Sequence, residues 1–161
     1  MTATRLECVV DASVGIKLFI NEPLSDRADA LFAHLAADPP ALLAVPDLFF
    51  IECTNILRKH VRRFGYPTAE AQKDLANLGK LALHSTSTSI LIADALTIAV
   101  THGITAYDAC YVVLAQQLGV PCVTADEKLA RLLASASHTV RWLGDFEIPP
   151  LPRRRIDHRA D

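Results

Sequence analysis

The sequence predicts a three-layer α/β/α domain, with a central parallel sheet of four to five strands between two layers of helices. Three observations carry this. Short apolar runs bounded by turn residues recur at residues 6–11, 41–45, 81–85, 121–124 and 139–143; continuous rather than alternating apolar character belongs to strands covered on both faces. Between the runs lie stretches with helical spacing of apolar residues, the alternation that builds a parallel sheet. The chain has 161 residues, 51% of them apolar, which is enough for one buried core and too few for two comfortable ones.

Each element has its own local signal. The run at residues 6–11 closes on Asp11 and fits a buried strand. Residues 13–20 read as a helix halted by Asn21-Glu22-Pro23, because proline cannot continue one. Ser25 is a good N-cap for a second helix to about residue 37, with Ala28, Leu31, Phe32 and Leu35 on one face, ended by Pro39-Pro40. After the strand at 41–45, Pro46-Asp47 opens a long helix through Phe64, closed by Gly65. Thr68 can cap a helix to about Leu78, the strand at 81–85 follows, and a helix from about Ser89 runs to Gly103. Thr105-Ala106-Tyr107-Asp108 resembles a capping box with Asp in place of Glu, and starts a helix that stops at Gly119. The strand at 121–124, a helix over 127–134 and the strand at 139–143 complete a domain of residues 1–148. Residues 149–161 form a Pro/Arg-rich tail of extended character.

Composition narrows the function classes. The net charge of −2 gives no global pull toward nucleic acid. The tail, however, carries four Arg against two Asp, which fits either a partner contact or a solubilising segment. Cys8, Cys53, Cys110 and Cys122 are scattered through apolar runs and read as reduced core residues; the six His show no zinc-ligand spacing with them. No apolar run approaches the roughly 18 residues that span a bilayer, and no signal-peptide pattern opens the chain. The expectation is a soluble, cytoplasmic protein with no membrane partner. The six Gly are isolated and no Gly-x-Ser-x-Gly occurs, so a phosphate-cradling loop and a serine-hydrolase elbow are both absent.

The chemistry sits in four acids. Asp11 and Asp126 follow strands, where ligands of parallel sheets bind. Asp108 lies in the first turn of a helix, and Glu52 lies among Phe49, Phe50, Ile51, Cys53 and Ile56. Asp11, Asp108 and Asp126 can each be read as a helix cap. Glu52 cannot, and a carboxylate in so apolar a stretch is costly to bury unless it meets a cation. Together the four favour a metal site over independent caps. A carboxylate set without His or Cys suits Mg²⁺ or Mn²⁺, which commonly pair with phosphate-bearing substrates and acidify a bound water. Ser13 and Thr124 place hydroxyls beside Asp11 and Asp126. On the 46–64 helix, Glu52, Asn55, Lys59 and Arg62 fall on one stripe, so Lys59 and Arg62 either lead substrate phosphates toward the acids or complement the helix C-terminal dipole.

Val10-Asp11-Ala12-Ser13-Val14, with Asn21-Glu22-Pro23 after it, resembles the opening motif of PIN-domain nucleases. Pro46-Asp47-Leu48 with Glu52-Cys53-Thr54-Asn55 resembles their second acidic motif. Thr105-Ala106-Tyr107-Asp108-Ala109-Cys110-Tyr111 and Val123-Thr124-Ala125-Asp126 resemble the third and fourth. The motifs stand in the family's order, and the resemblance is nearest to VapC-type toxins of toxin–antitoxin pairs. It implies a PIN-like nuclease domain over 1–148 in which Asp11, Glu52, Asp108 and Asp126 hold Mg²⁺ or Mn²⁺ and Ser13, Asn55 and Thr124 support them. It also implies metal-dependent endoribonuclease activity, homodimerisation and inhibition by a cognate antitoxin. Two other classes share features with the chain. Asp11-x-Ser13 partly imitates the motif of haloacid-dehalogenase-like phosphatases, and a receiver-like or scaffold module could bind Mg²⁺ without cleaving anything.

Overall fold

The computed structural model describes residues 4–136 and 139–152. Five parallel strands, β1 (Glu7–Val10), β2 (Leu42–Pro46), β3 (His84–Thr86), β4 (Cys122–Thr124) and β5 (Val140–Trp142), form one sheet in the order β3-β2-β1-β4-β5. Among the described residues seven α-helices join them: α1 (Ala12–Gly15), α2 (Ser25–Ala33), α3 (Leu48–Phe64), α4 (Thr68–Leu78), α5 (Ile92–His102), α6 (Ala106–Leu118) and α7 (Glu127–Ser135). The chain winds outward from β1 to β3, then returns across the sheet to β4. The crevice at this reversal, between β1 and β4, is where such sheets bind ligands. Receiver-type modules use the order 2-1-3-4-5 instead.

The core explains the order. Cys8, Val9 and Val10 on the central strand are wholly buried, as are Leu43, Ala44 and Val45 on β2. A parallel strand covered on both faces must be apolar throughout. The middle of helix α6 is apolar all round for the same reason, with every residue from Ala109 to Ala115 buried. Each large aliphatic or aromatic side chain so buried contributes about 1.5–3 kcal/mol. Cys8, Cys53, Cys110 and Cys122 are all free and buried, as expected. No single helix among the described residues is long and apolar enough to cross a membrane.

Several boundaries move from the expected ones, each for a local reason. The 13–20 helix is a single α-turn, Ala12–Gly15, that tightens into a 3₁₀ turn over Ile16–Leu18. Ser25 is the first residue of α2 and not its cap: its hydroxyl accepts the Glu22 N–H and donates to the Ile20 carbonyl, while Leu24 takes the capping position at φ +70°. Helix α2 ends at Ala33 and continues as a 3₁₀ turn over His34–Ala36. Pro46 closes β2, and α3 starts at Leu48. Pro67 holds the capping position expected of Thr68. The third strand lies at His84–Thr86, later than the 81–85 run, because an edge strand needs little apolar surface; Leu81 and Leu83 pack on the core from the turn before it. The helix expected from Ser89 is a 3₁₀ turn, Thr88–Ile90, followed by α5. Half of the capping box is present: Thr105 Oγ1 accepts the Asp108 N–H at 3.1 Å. The three predicted glycine stops hold, with Gly65, Gly103 and Gly119 all at φ +66°.

Two packing details aim the helices at the crevice. Gly15 presses α1 against α3 so closely that a Cβ there would stand 2.5 Å from Phe49 Cζ, and Phe49 is fully buried. Phe49 lies one turn before Glu52. At the head of α3, Asp47 accepts the Thr88 N–H at 2.9 Å and the Thr88 hydroxyl, which ties α3 to the segment leaving β3. These two donors hold the Asp47 carboxyl below the usual carboxylate range.

The segment leading into the tail is strapped across α2 and the 3₁₀ turn that follows it. Arg27 donates to the carbonyls of Leu143 at 2.6 Å and Phe146 at 2.5 Å, and His34 Nε2 lies 2.8 Å from the Pro149 carbonyl. Arg153, Arg154 and Arg155 lie outside the described residues.

Candidate active site

The β1–β4 register sets the first half of the site. Val10 pairs with Val123 and the Asp11 N–H donates to the Val123 carbonyl at 3.2 Å, so Asp11 and Thr124 leave the sheet side by side. Asp11 is only 7% exposed and caps α1 by accepting the Val14 N–H at 3.3 Å. Ser13 donates to the same carboxyl oxygen at 2.5 Å, accepts the Ala125 N–H at 2.9 Å and stands 3.5 Å from the Thr124 hydroxyl. The fully buried Thr124 accepts the Asp126 N–H at 3.1 Å. Both hydroxyls singled out in the sequence therefore belong to one network joining the ends of β1 and β4.

Helices α3 and α6 bring the other acids. The half-buried Glu52 accepts a hydrogen bond from the Tyr111 hydroxyl at 2.6 Å. Asp108, one turn before Tyr111 on α6, is also half-buried. Asp126 is exposed and caps α7 by accepting the Leu129 N–H at 3.1 Å. The cap readings of Asp11 and Asp126 are thus both realised, and they leave the two carboxylates at the crevice.

The charges of these acids are felt mutually. Burial pushes the Asp11 carboxyl up to about 6; the bonds from Ser13 and Thr124 oppose that rise and the Asp108 charge adds to it. Burial also raises Glu52, against the Tyr111 hydrogen bond and with the Asp108 charge. Asp108 is raised by burial and further by Asp126. Among the described residues none of the four meets a Lys or Arg in a salt bridge. The fold treats another buried charge differently: Lys17, 9% exposed, has Glu22 at 2.9 Å. Glu22 of the Asn-Glu-Pro segment is therefore the structural partner of Lys17.

The donor set fits a hard divalent cation, being carboxylate oxygens with hydroxyls and no sulfur or imidazole. Among the described residues no three Asp, Glu, His or Cys side chains close on one point as a ready cage. Magnesium needs none, because it keeps several waters and takes one or two carboxylates directly.

The remaining candidates stand apart. Asn55 is exposed, and its oxygen accepts from Arg58 Nε at 3.1 Å. Lys59 and Arg62 are exposed farther along α3. The residue that sequence reasoning passed over is Tyr111. A signal was available: a tyrosine within the apolar middle of a helix must find a partner for its hydroxyl, and Glu52 was an acid in an apolar stretch in need of a donor. A cavity of about 960 Å³ lies elsewhere, between α2 and residues 144–151.

The sequence profile of the PIN domain matches residues 8–133. Ribonuclease VapC3 of Pyrobaculum aerophilum is 35% identical over 127 residues, which cover 78% of this chain and 93% of that protein. The crystal structure of PAE2754 from Pyrobaculum aerophilum superposes with a TM-score of 0.62 at 27% identity, over 79% of each chain. Mycobacterium tuberculosis VapC20, described as a sarcin-ricin loop cleaving toxin, gives a TM-score of 0.59 at 17% identity, over 81% of this chain and 95% of its own. That last likeness is one of fold.

Proposed function

This chain belongs to the PIN domain family, and from that premise we propose that it is a Mg²⁺- or Mn²⁺-dependent endoribonuclease, the toxin of a toxin–antitoxin pair acting in the cytoplasm. The observation that carries the reading is the absence of a cationic partner for the Asp11, Glu52 and Asp108 carboxylates among the described residues, in a fold that gives Lys17 its partner. Buried or half-buried acids that raise one another must either take up protons or be joined by a cation.

Asp11, Glu52, Asp108 and Asp126 would hold the cation. When bound, it supplies positive charge to the scissile phosphate and acidifies a water for attack on phosphorus. Ser13 keeps one Asp11 oxygen turned toward α1, and Thr124 holds the backbone that presents Asp126. Asn55 supports the same edge of α3, and Lys59 and Arg62 draw the RNA backbone along that helix.

Two protein partners complete the reading. An antitoxin would restrain the nuclease by covering the acids with a basic side chain. A second copy of the chain would cover α5, which exposes Ile92 (56%), Leu96 (62%) and Val100 (75%) along one stripe. A helix apolar on both faces is stable only when both are covered, and two copies related by a twofold axis would bury the same stripe of each.

The direct test is RNA cleavage by purified protein under Mg²⁺ and Mn²⁺ titration, with Asp11→Asn alongside. Activity should need the metal and collapse in the variant by several orders of magnitude. Equal cleavage in excess chelator overturns the reading.

A further inference from the structure

We infer that Tyr111 is the positioning residue for Glu52, holding its carboxylate in the orientation that leaves one oxygen free toward the crevice; this rests on the metal-site reading above. The phenol is 2% exposed and its hydroxyl donates to Glu52 Oε1 at 2.6 Å, the one hydrogen bond to that carboxylate among the described residues. The pair joins two helices whose residues lie 59 positions apart. Asp108 and Tyr111 stand three residues apart on α6, so they share a face of that helix. The helix that presents one acid therefore also fixes another acid across the crevice.

A phenol keeps its proton at neutral pH and donates it to a carboxylate, which accepts through either oxygen. With Oε1 engaged on the α6 side, Oε2 is the oxygen left for a cation. Glutamate is a long side chain with several rotamers, and fixing one of them before binding removes an ordering cost from the metal complex. Partners of this kind behind a metal ligand typically change affinity by about 10–100-fold.

The test measures Mn²⁺ affinity of the full chain by calorimetry, with no RNA present, in wild type, Tyr111→Phe, Glu52→Gln and the double variant. Thermal unfolding in chelator checks that each variant folds. Tyr111→Phe keeps the buried ring and should weaken Mn²⁺ binding about tenfold. Glu52→Gln should weaken it further, and adding Tyr111→Phe to Glu52→Gln should change nothing more. Glu52→Asp retracts the carboxylate by one methylene and leaves the tyrosine untouched, so the inference stays testable if Tyr111→Phe does not fold. It should also lose affinity, because the shortened carboxylate no longer reaches the Tyr111 hydroxyl.

A Tyr111→Phe protein that unfolds more readily yet binds Mn²⁺ like wild type makes the tyrosine merely structural and overturns the inference. So does wild-type Mn²⁺ affinity in Glu52→Gln, since Glu52 is then no ligand. If Asp11→Asn also leaves Mn²⁺ binding intact, the metal-site reading itself has failed.

Discussion

The Ser13 hydroxyl donates to Asp11 at 2.5 Å and accepts the Ala125 N–H at 2.9 Å, so one short side chain on α1 holds both the acid that ends β1 and the loop that leaves β4. The two halves of the crevice are joined through it. Removing the hydroxyl leaves the Ala125 N–H without its acceptor and takes one of the donors from Asp11.

Ser13→Ala is accordingly expected to cost about 1–3 kcal/mol of stability, the range for leaving a part-buried polar group unsatisfied. RNA cleavage should fall about tenfold or more, because the Asp11 carboxylate loses a fixed donor. Urea unfolding and initial cleavage rates check both. Ser13→Thr, which keeps the hydroxyl, should retain most of each.

The metal-free protein should lose stability as pH rises from about 4 to about 6. The Asp11 carboxyl is raised from 3.8 to about 6 in the folded chain. The native state therefore binds the proton more tightly than the unfolded state, and ionisation above that window opposes folding. Two units correspond to about 3 kcal/mol. Glu52 and Asp108 are raised as well and act with the same sign. Unfolding of wild type and Asp11→Asn in chelator, at pH 4 and pH 7, isolates the Asp11 part. The variant should be the more stable protein at pH 7, and the difference should vanish at pH 4.

Gly15→Ala should destabilise by about 1–3 kcal/mol, the usual cost of overpacking. The added Cβ meets Phe49 at 2.5 Å, and a fully buried ring has nowhere to withdraw. Phe49→Leu in the same chain should recover part of the loss in a double-mutant cycle. Because Phe49 precedes Glu52 by one turn, Mn²⁺ affinity should fall together with stability.

Lys59→Ala with Arg62→Ala should weaken RNA binding across sequences and lower the slope of log K against log salt by about one unit per lost contact. Mn²⁺ affinity should stay unchanged, since both side chains are exposed and stand about two and three turns beyond Glu52 on α3. An unchanged salt slope returns the two residues to a dipole-complementing role at the end of α3.

Leu96→Glu should halve the sedimenting mass without lowering the unfolding midpoint of the isolated chain, because Leu96 is 62% exposed. If the wild type itself sediments as a monomer, the α5 stripe is not a contact between copies.

The sequence by itself determined what depends on neighbours along the chain. Buried strands declared themselves as apolar runs, Gly65, Gly103 and Gly119 stopped their helices, and Asp11 and Asp126 stood at strand ends. These are consequences of backbone preference and periodicity, read within a few residues. The tertiary structure alone decided the rest. His84–Thr86 became an edge strand because β2 offered it a partner, not because its polar residues favoured one. Ser25 gave its hydroxyl to Glu22 and Ile20 instead of capping α2, a choice fixed by the turn Leu24 makes. Tyr111 met Glu52 and Ser13 met Ala125 across 59 and 112 positions of sequence. Burial leaves polar groups seeking partners, and which partner is within reach is set only when the helices pack.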